Sequence, residues 1–91
     1  MNDSTVLSLN SDCVIQKVDD GAVILRLSDG QIYSCNETTQ RFLELTDGKV
    51  SFKTITEAFS EEYAIDLATV VADLSSLAKN LLAEDIIDKV N

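Results

Sequence analysis

The 91-residue chain contains no histidine, and its only two cysteines, Cys13 and Cys35, do not form a CxxC pair. The usual zinc sites need Cys or His ligands at short spacings, so we expect no metal ligand in this sequence. Both cysteines lie in apolar segments with a strand-like pattern, where a free thiol behaves as a small buried hydrophobic side chain. We therefore predict two buried free thiols rather than a disulfide.

Basic residues are also few, because seven Lys and Arg stand against 16 Asp and Glu and give a formal net charge of −9. The seven are scattered along the chain, whereas a protein that neutralises phosphates needs them clustered. This argues against nucleic acid as a ligand. The acidity is typical of a solvated surface, and it also suits a partner with a basic surface.

The parts of a catalytic site are missing as well. The chain has only three glycines, no Gly-rich phosphate loop, and no serine or cysteine in a recognisable nucleophile setting. We therefore expect no enzyme, no catalytic residue and no cofactor. An acyl carrier protein, another small acidic class, needs an Asp-Ser-Leu attachment motif, and Asp73-Leu74-Ser75 has the wrong order.

The length supplies material for a single hydrophobic core, so we expect one domain. No apolar run approaches the roughly 20 residues that span a bilayer. The first residues lack the basic and apolar regions of a secretory signal, which makes a cytoplasmic location the expectation. We predict a flexible tail over residues 1–11 and a folded domain over residues 12–91.

The first half of the sequence has the period of strands. Residues 13–18, 22–28 and 31–35 are rich in β-branched and alternating residues, and Gly21 and Asp29-Gly30 separate them. This pattern predicts a three-stranded antiparallel meander. Asp29-Gly30 suits a two-residue type I′ turn. Such a turn sets the pairs Ser28 with Gln31, Leu27 with Ile32, Arg26 with Tyr33, and Leu25 with Ser34.

The second half has the period of helices, so the predicted fold class is α+β, with three strands followed by three helices. Asn36 is a suitable N-cap for a helix over residues 37–45, which Asp47-Gly48 would end. A second helix is predicted from near Ser51 to about Tyr63. A third begins after Asp66 and ends near Asn80. Residues 83–91 fit either a short strand or a helical extension.

The joints between these elements resemble the PqqD family of peptide-recognition proteins. The third strand runs into the first helix as Tyr33-Ser34-Cys35-Asn36-Glu37-Thr38, which is similar to the family's aromatic-small-apolar-Asn pattern. Phe42, Leu45 and Asp47-Gly48 correspond to the helix and turn that follow in the family. The long helix closes with Leu77-Ala78-Lys79-Asn80-Leu81, in which Asn80-Leu81 corresponds to the closing Gly-Leu of the family's Leu-x-x-x-Gly-Leu.

The resemblance covers about residues 13–82 and departs from the family at four positions. Cys35 stands where leucine is usual, Asn80 stands in the glycine place, and Arg41 and Thr46 replace apolar residues. The resemblance implies a winged helix-turn-helix fold. It also implies a protein that binds the leader segment of a ribosomally made precursor peptide and presents it to a modifying enzyme. In the namesake pathway that enzyme is a radical-SAM protein and the product is pyrroloquinoline quinone.

Winged-helix DNA binding shares the implied architecture and is the main alternative, together with other protein-interaction modules. The net charge of −9 argues against DNA, as does a third helix whose one basic residue is Lys79. We therefore expect a peptide and a modifying enzyme as partners, with no nucleic acid and no membrane.

The third predicted strand is bonded on one side only, and it carries neither the Lys nor the Pro that usually protects an open edge. A leader peptide could add there as a fourth strand. The candidate binding residues on this strand are Ile32, Tyr33, Ser34 and Cys35. The alternative is an edge covered by the N-terminal tail or by a second copy of the chain.

The third helix carries a stripe of small and apolar residues beside its core seam. These residues are Val71, Ser75, Ala78 and Leu82. If this helix lies against the third strand, the stripe could receive the apolar side chains of a bound peptide; otherwise it is the rim of the core.

The two faces of the predicted meander are both partly apolar. Val23, Leu25, Leu27 and Ile32 share one face, and Ile24, Tyr33 and Cys35 share the other. Only one face can pack against the helices, so the other face stays partly exposed. We therefore expect a monomer or a weak homodimer.

Overall fold

Strands and helices alternate along the chain in the computed structural model, which describes residues 1–90. Asn91, the last residue of the predicted domain, lies outside the described residues. The strands are β1 (Val6–Leu9), β2 (Cys13–Val18), β3 (Gly21–Arg26), β4 (Ile32–Cys35), β5 (Asp47–Ser51) and β6 (Ile87–Lys89). The helices are α1 (Glu37–Leu45), α2 (Phe52–Tyr63) and α3 (Leu67–Ala83).

Two antiparallel three-stranded sheets organise the fold. One has the order β2–β3–β4 and is the predicted meander. The other has the order β5–β1–β6. With three helices packed against these sheets, the α+β prediction is confirmed.

The second sheet was not predicted, and the flexible tail proposed for residues 1–11 is wrong where β1 forms. Leu7 is completely buried, and β1 pairs with β5 through Val6 and Ser51 and with β6 through Leu9 and Ile87. These partners come from distant parts of the sequence, so β1 shows no local hairpin signal. The C-terminal segment, for which the sequence left a strand and a helical extension open, contains strand β6.

The turn between β3 and β4 differs from the predicted type I′ turn. Leu25 pairs with Ile32 and Val23 with Ser34, a shift of two positions from the predicted register. A type I′ turn needs positive φ at both central residues, but of the Asp-Gly pair only Gly30 has one, at 72°. Residues 27–30 form a longer loop, in which the Gly30 amide donates to the Arg26 carbonyl at 2.8 Å. An even shift keeps every side chain on its predicted face.

Side-chain caps begin all three helices. Asn36 Oδ1 accepts from the Thr39 amide at 2.8 Å, and Ser51 and Asp66 accept in the same way from Thr54 and Thr69. The three predicted helices are confirmed. The predicted end of the third at Asn80 is wrong, because α3 continues to Ala83 and the left-handed residue after it is Asp85, at φ 57°.

The core lies between the inner face of the meander and the helices. Ala22, Ile24 and Cys35 are buried on the meander, and Phe42, Phe52 and Ile55 are buried on the helices. Cys13 and Cys35 are both free and buried, as predicted. Among residues 1–90, no helix combines the length and apolar character needed to cross a membrane.

Candidate functional site

Strand β4 is an outer strand of its sheet and pairs there with β3 alone. The Arg26 amide donates to the Gln31 carbonyl at 2.9 Å, which makes this pair hydrogen-bonded. Because hydrogen-bonded pairs alternate in an antiparallel ladder, the amides of Tyr33 and Cys35 point to β3, and those of Ile32 and Ser34 point outward. The open edge therefore presents two amide donors.

The two outer strands of this sheet are protected differently. Strand β2 carries Lys17, a charged residue of the kind that discourages a further strand from pairing. The sequence of β4 is Ile-Tyr-Ser-Cys and contains no charge and no proline. Of the two edges, β4 is the one suited to strand addition.

Side chains alternate along β4 between the core and the solvent. Cys35 is buried against the helices, and burial raises the pKa of its thiol above the usual value. Tyr33 is half-buried on the same side, whereas Ile32, 67% exposed, and Ser34 point to solvent. All four residues predicted here lie on the edge strand, but Cys35 presents neither its side chain nor its amide to an incoming chain.

A polar network joins the start of β4 to the end of α3. The Tyr33 hydroxyl donates to Gln31 Oε1 at 2.6 Å and accepts from Arg26 Nη2 at 3.1 Å. The same Arg26 nitrogen donates to the carbonyl of Glu84, the C-cap of α3. The guanidinium carbon lies 5.5 Å from the centroid of the Tyr33 ring. This network holds the C-terminal end of α3 beside the first residues of β4.

A small cavity lies between the start of α1, the end of α2 and the first half of α3. The cavity measures about 150 Å³. It is lined by Thr38, Phe59, Tyr63, Ile65, Val70, Asp73 and Leu74. Thr38 is in the first turn of α1, directly after β4, while Val70 to Leu74 are in the first half of α3. Together with the network at Glu84, this arrangement shows that α3 runs antiparallel to β4.

One flank of α3 carries Asp73 and Leu77. At about 100° per residue, these two residues lie about 40° apart around the helix axis. Asp73 lines the cavity. Beyond the end of the helix, the C-cap Glu84 joins the Arg26 network through its backbone carbonyl.

The predicted stripe on α3 lies elsewhere. Val71, Ser75 and Leu82 are on the flank roughly opposite to Asp73 and Leu77. Ala78 is completely buried in the core. The role of this stripe in peptide binding stays a prediction. Hydrophobic periodicity locates the core stripe of a helix, but no sequence signal said which flank would face β4.

A larger, open basin of about 710 Å³ lies on the other side of α1. Its central cation, Arg41, contacts Glu62 at 3.0 Å and Glu44 at 3.5 Å. These contacts raise the pKa of Arg41, first of all the hydrogen bond to Glu62. Within residues 1–90, no group of three or more His, Cys, Asp or Glu side chains could hold a metal ion. The basin is a surface ion-pair network and offers no nucleophile.

Comparisons with known proteins bear on this geometry. Residues 21–87 match the family described as Coenzyme PQQ synthesis protein D (PqqD). The fold is similar to the solved structure titled "TbiB1 in Complex with the TbiA(beta) Leader Peptide", with a TM-score of 0.80 and 23% identity. That likeness covers 89% of this chain and 94% of the other. None of the curated proteins matches this chain.

Proposed function

The chain belongs to the PqqD family, and on that premise we propose that it is a peptide-binding adaptor. It binds the leader segment of a ribosomally synthesised precursor peptide in the cytoplasm and presents it to a modifying enzyme. The observation that carries this proposal is the open edge of β4, with the C-terminal end of α3 joined to its first residues through Arg26.

Strand addition uses both parts of this site. A leader segment that pairs with β4 accepts hydrogen bonds from the amides of Ile32 and Ser34 and donates to outward-facing carbonyls. Its alternate side chains point toward the flank of α3 that carries Asp73 and Leu77. Main-chain bonds then supply affinity, and the surface of α3 supplies specificity.

The similar structure supports a leader peptide as the ligand, because TbiB1 is in complex with a leader peptide. It shares the fold with our chain over most of both lengths. Strand addition to β4 is the part of the proposal that rests on the open edge of this chain.

The second partner is the enzyme that modifies the core of the precursor. An adaptor raises the local concentration of the peptide at that enzyme and positions it, so the chain needs no catalytic group of its own. In the namesake pathway of the family this enzyme is a radical-SAM protein, which is therefore the first partner to test. We expect the purified chain to turn over no substrate alone and to increase capture of the precursor by its enzyme.

Hydrogen exchange of the β4 amides tests the proposal directly, with the leader peptide encoded beside the gene as the ligand. In the free protein we expect slow exchange at Tyr33 and Cys35, whose amides belong to the β3–β4 ladder, and fast exchange at Ile32 and Ser34. Bound peptide should slow the second pair by up to about 100-fold at a concentration of 100 times Kd. Binding that leaves Ile32 and Ser34 unprotected would show that the peptide does not add to β4.

A further inference from the structure

The cavity between α1, α2 and α3 combines apolar walls with a single charged group. Phe59 and Tyr63 contribute two rings whose centroids are 5.3 Å apart. Ile65, Val70 and Leu74 contribute aliphatic surface. Asp73 is the one ionisable carboxylate in the lining. Such a lining matches a side chain that has an apolar stem and a polar end.

The carboxylate of Asp73 is available to a ligand. In the part of the chain that the structure describes, the ion pairs of Lys17 and Arg41 go to Glu44 and Glu62, and Asp73 has no ionic partner. It is exposed at the rim of the cavity. Asp73 shares the cavity with Thr38, which comes three residues after the last residue of β4, so the cavity lies near the C-terminal end of the open edge.

Resting on the proposed function, we propose that this cavity binds a Lys or Arg side chain of the leader peptide and that Asp73 determines this specificity. The aliphatic stem of the basic residue packs against Val70 and Leu74, as long cationic side chains do on apolar surfaces. Its charged end pairs with Asp73 and lies near the ring of Tyr63, where a cation is attracted to the aromatic face.

The competing ligand for an apolar cavity is an aliphatic or aromatic side chain. Such a side chain would cover the rim of the cavity but would offer no charge or hydrogen bond to Asp73. The carboxylate would then lose water contacts without any interaction to replace them. A cation removes this penalty. The net charge of −9 acts in the same direction at longer range, because it attracts basic peptides.

Selection from a displayed library of random peptides identifies the preferred residue and does not depend on the sequence of the natural leader. We expect peptides that bind the wild-type protein to share Lys or Arg at one position of an extended segment. Asp73→Asn should abolish this preference, and Asp73→Arg should convert it to Asp or Glu. Glu57→Gln, at an exposed position of α2 outside the cavity, removes the same charge and should keep the wild-type preference.

Titration of one selected peptide provides the second measurement. Replacing its shared basic residue by Met should weaken binding to the wild-type protein by roughly fivefold and leave binding to Asp73→Asn nearly unchanged. Asp73 is exposed, so we expect both variants to fold.

The outcomes separate this inference from the proposed function. In one outcome, the selected peptides protect the Ile32 and Ser34 amides but show the same apolar preference with wild type and with Asp73→Asn. This result overturns the role of Asp73 and keeps strand addition. If no selected peptide protects those amides, strand addition itself is overturned.

Discussion

In the proposed binding mode, Ser34 acts through its main chain alone. Its side chain points to solvent on the outer face of the sheet, away from the helices. Its amide points away from β3 and is free to donate to an added strand. The adjacent residue Tyr33 has the reverse arrangement, since its amide belongs to the β3–β4 ladder and its hydroxyl to the network with Arg26. Substitutions at these two neighbouring positions therefore test peptide binding and folding separately.

Proline substitution distinguishes these two roles. Proline has no amide donor but is tolerated on an edge where the nitrogen faces solvent, so Ser34→Pro should leave the fold intact. It removes one hydrogen bond to the leader peptide and obstructs its approach, which should weaken binding by at least ~1 kcal/mol in a calorimetric titration. Tyr33→Pro should instead break the pairing of β3 with β4. Unchanged affinity in a folded Ser34→Pro protein would contradict strand addition.

Among the elements, β5 depends on a carboxylate at its first residue. Asp47 Oδ1 accepts from the amides of Lys49 at 2.9 Å and Val50 at 3.1 Å. These backbone hydrogen bonds, that of Lys49 first, lower the pKa of Asp47 below its usual value of 3.8. The turn that they stabilise carries the chain from α1 into the sheet with β1. Asp47 therefore connects the end of α1, which the sequence predicted, with the β5–β1–β6 sheet, which it did not.

The lowered pKa makes the stability of the fold depend on pH at this position. Because the folded state binds the proton of Asp47 less well than the unfolded state, its contribution is complete above about pH 4 and is lost as the pH falls through the lowered pKa. Asp47→Asn keeps an oxygen acceptor and cannot titrate. Urea unfolding between about pH 7 and pH 2 should therefore show a shallower acid loss of unfolding free energy in Asp47→Asn than in wild type.

Asp19→Asn provides the matched control, because it removes one carboxylate at an exposed turn between β2 and β3. Its stability curve should run parallel to that of wild type. If the unfolding free energy of Asp47→Asn fell with decreasing pH as steeply as that of wild type, the backbone hydrogen bonds to Asp47 would not contribute to stability.

On the scale of the whole molecule, the outer face of the meander leaves apolar side chains exposed. Val14, Leu25 and Ile32 lie side by side across the three strands on this face. Val14 is 40% exposed and Ile32 67%. Exposed apolar area of this kind favours association, whereas the charge of −9 on each copy opposes it. The balance predicts weak contact between two copies.

We expect a homodimer that forms only at high protein concentration and becomes stronger with added salt, because salt screens the repulsion between the acidic copies. Small-angle scattering at millimolar concentration measures it. Val14→Ser should weaken the association, while Val90→Ser, at an exposed residue beside the other sheet, should not. A strictly monomeric profile at all salt concentrations would exclude the dimer.

Local interactions explain what could be predicted from the sequence. A cap bonds to an amide three residues away, as at Asn36, Ser51 and Asp66, and a meander pairs adjacent segments. The helices, the meander and the outward direction of the Ser34 amide therefore followed from sequence pattern alone. The direction remained correct although the register moved, because a shift of two positions preserves the alternation of amides.

Tertiary structure decided the features that depend on distant segments. Strand β1 is a strand because β5 and β6 arrive on either side of it, and its own residues carry no signal of those partners. Strands β3 and β4 pair in the Leu25–Ile32 register, and β3 ends at Arg26. Residues 27–30 therefore form a longer loop in place of the predicted two-residue Asp-Gly turn. The position of α3 depends on tertiary contacts at its two ends, with Thr38 at the cavity and with Arg26 at Glu84. Hydrophobic periodicity reports how far each residue of a helix lies from the core, but the flanks that carry Asp73 and Ser75 lie about equally far, so periodicity does not choose between them.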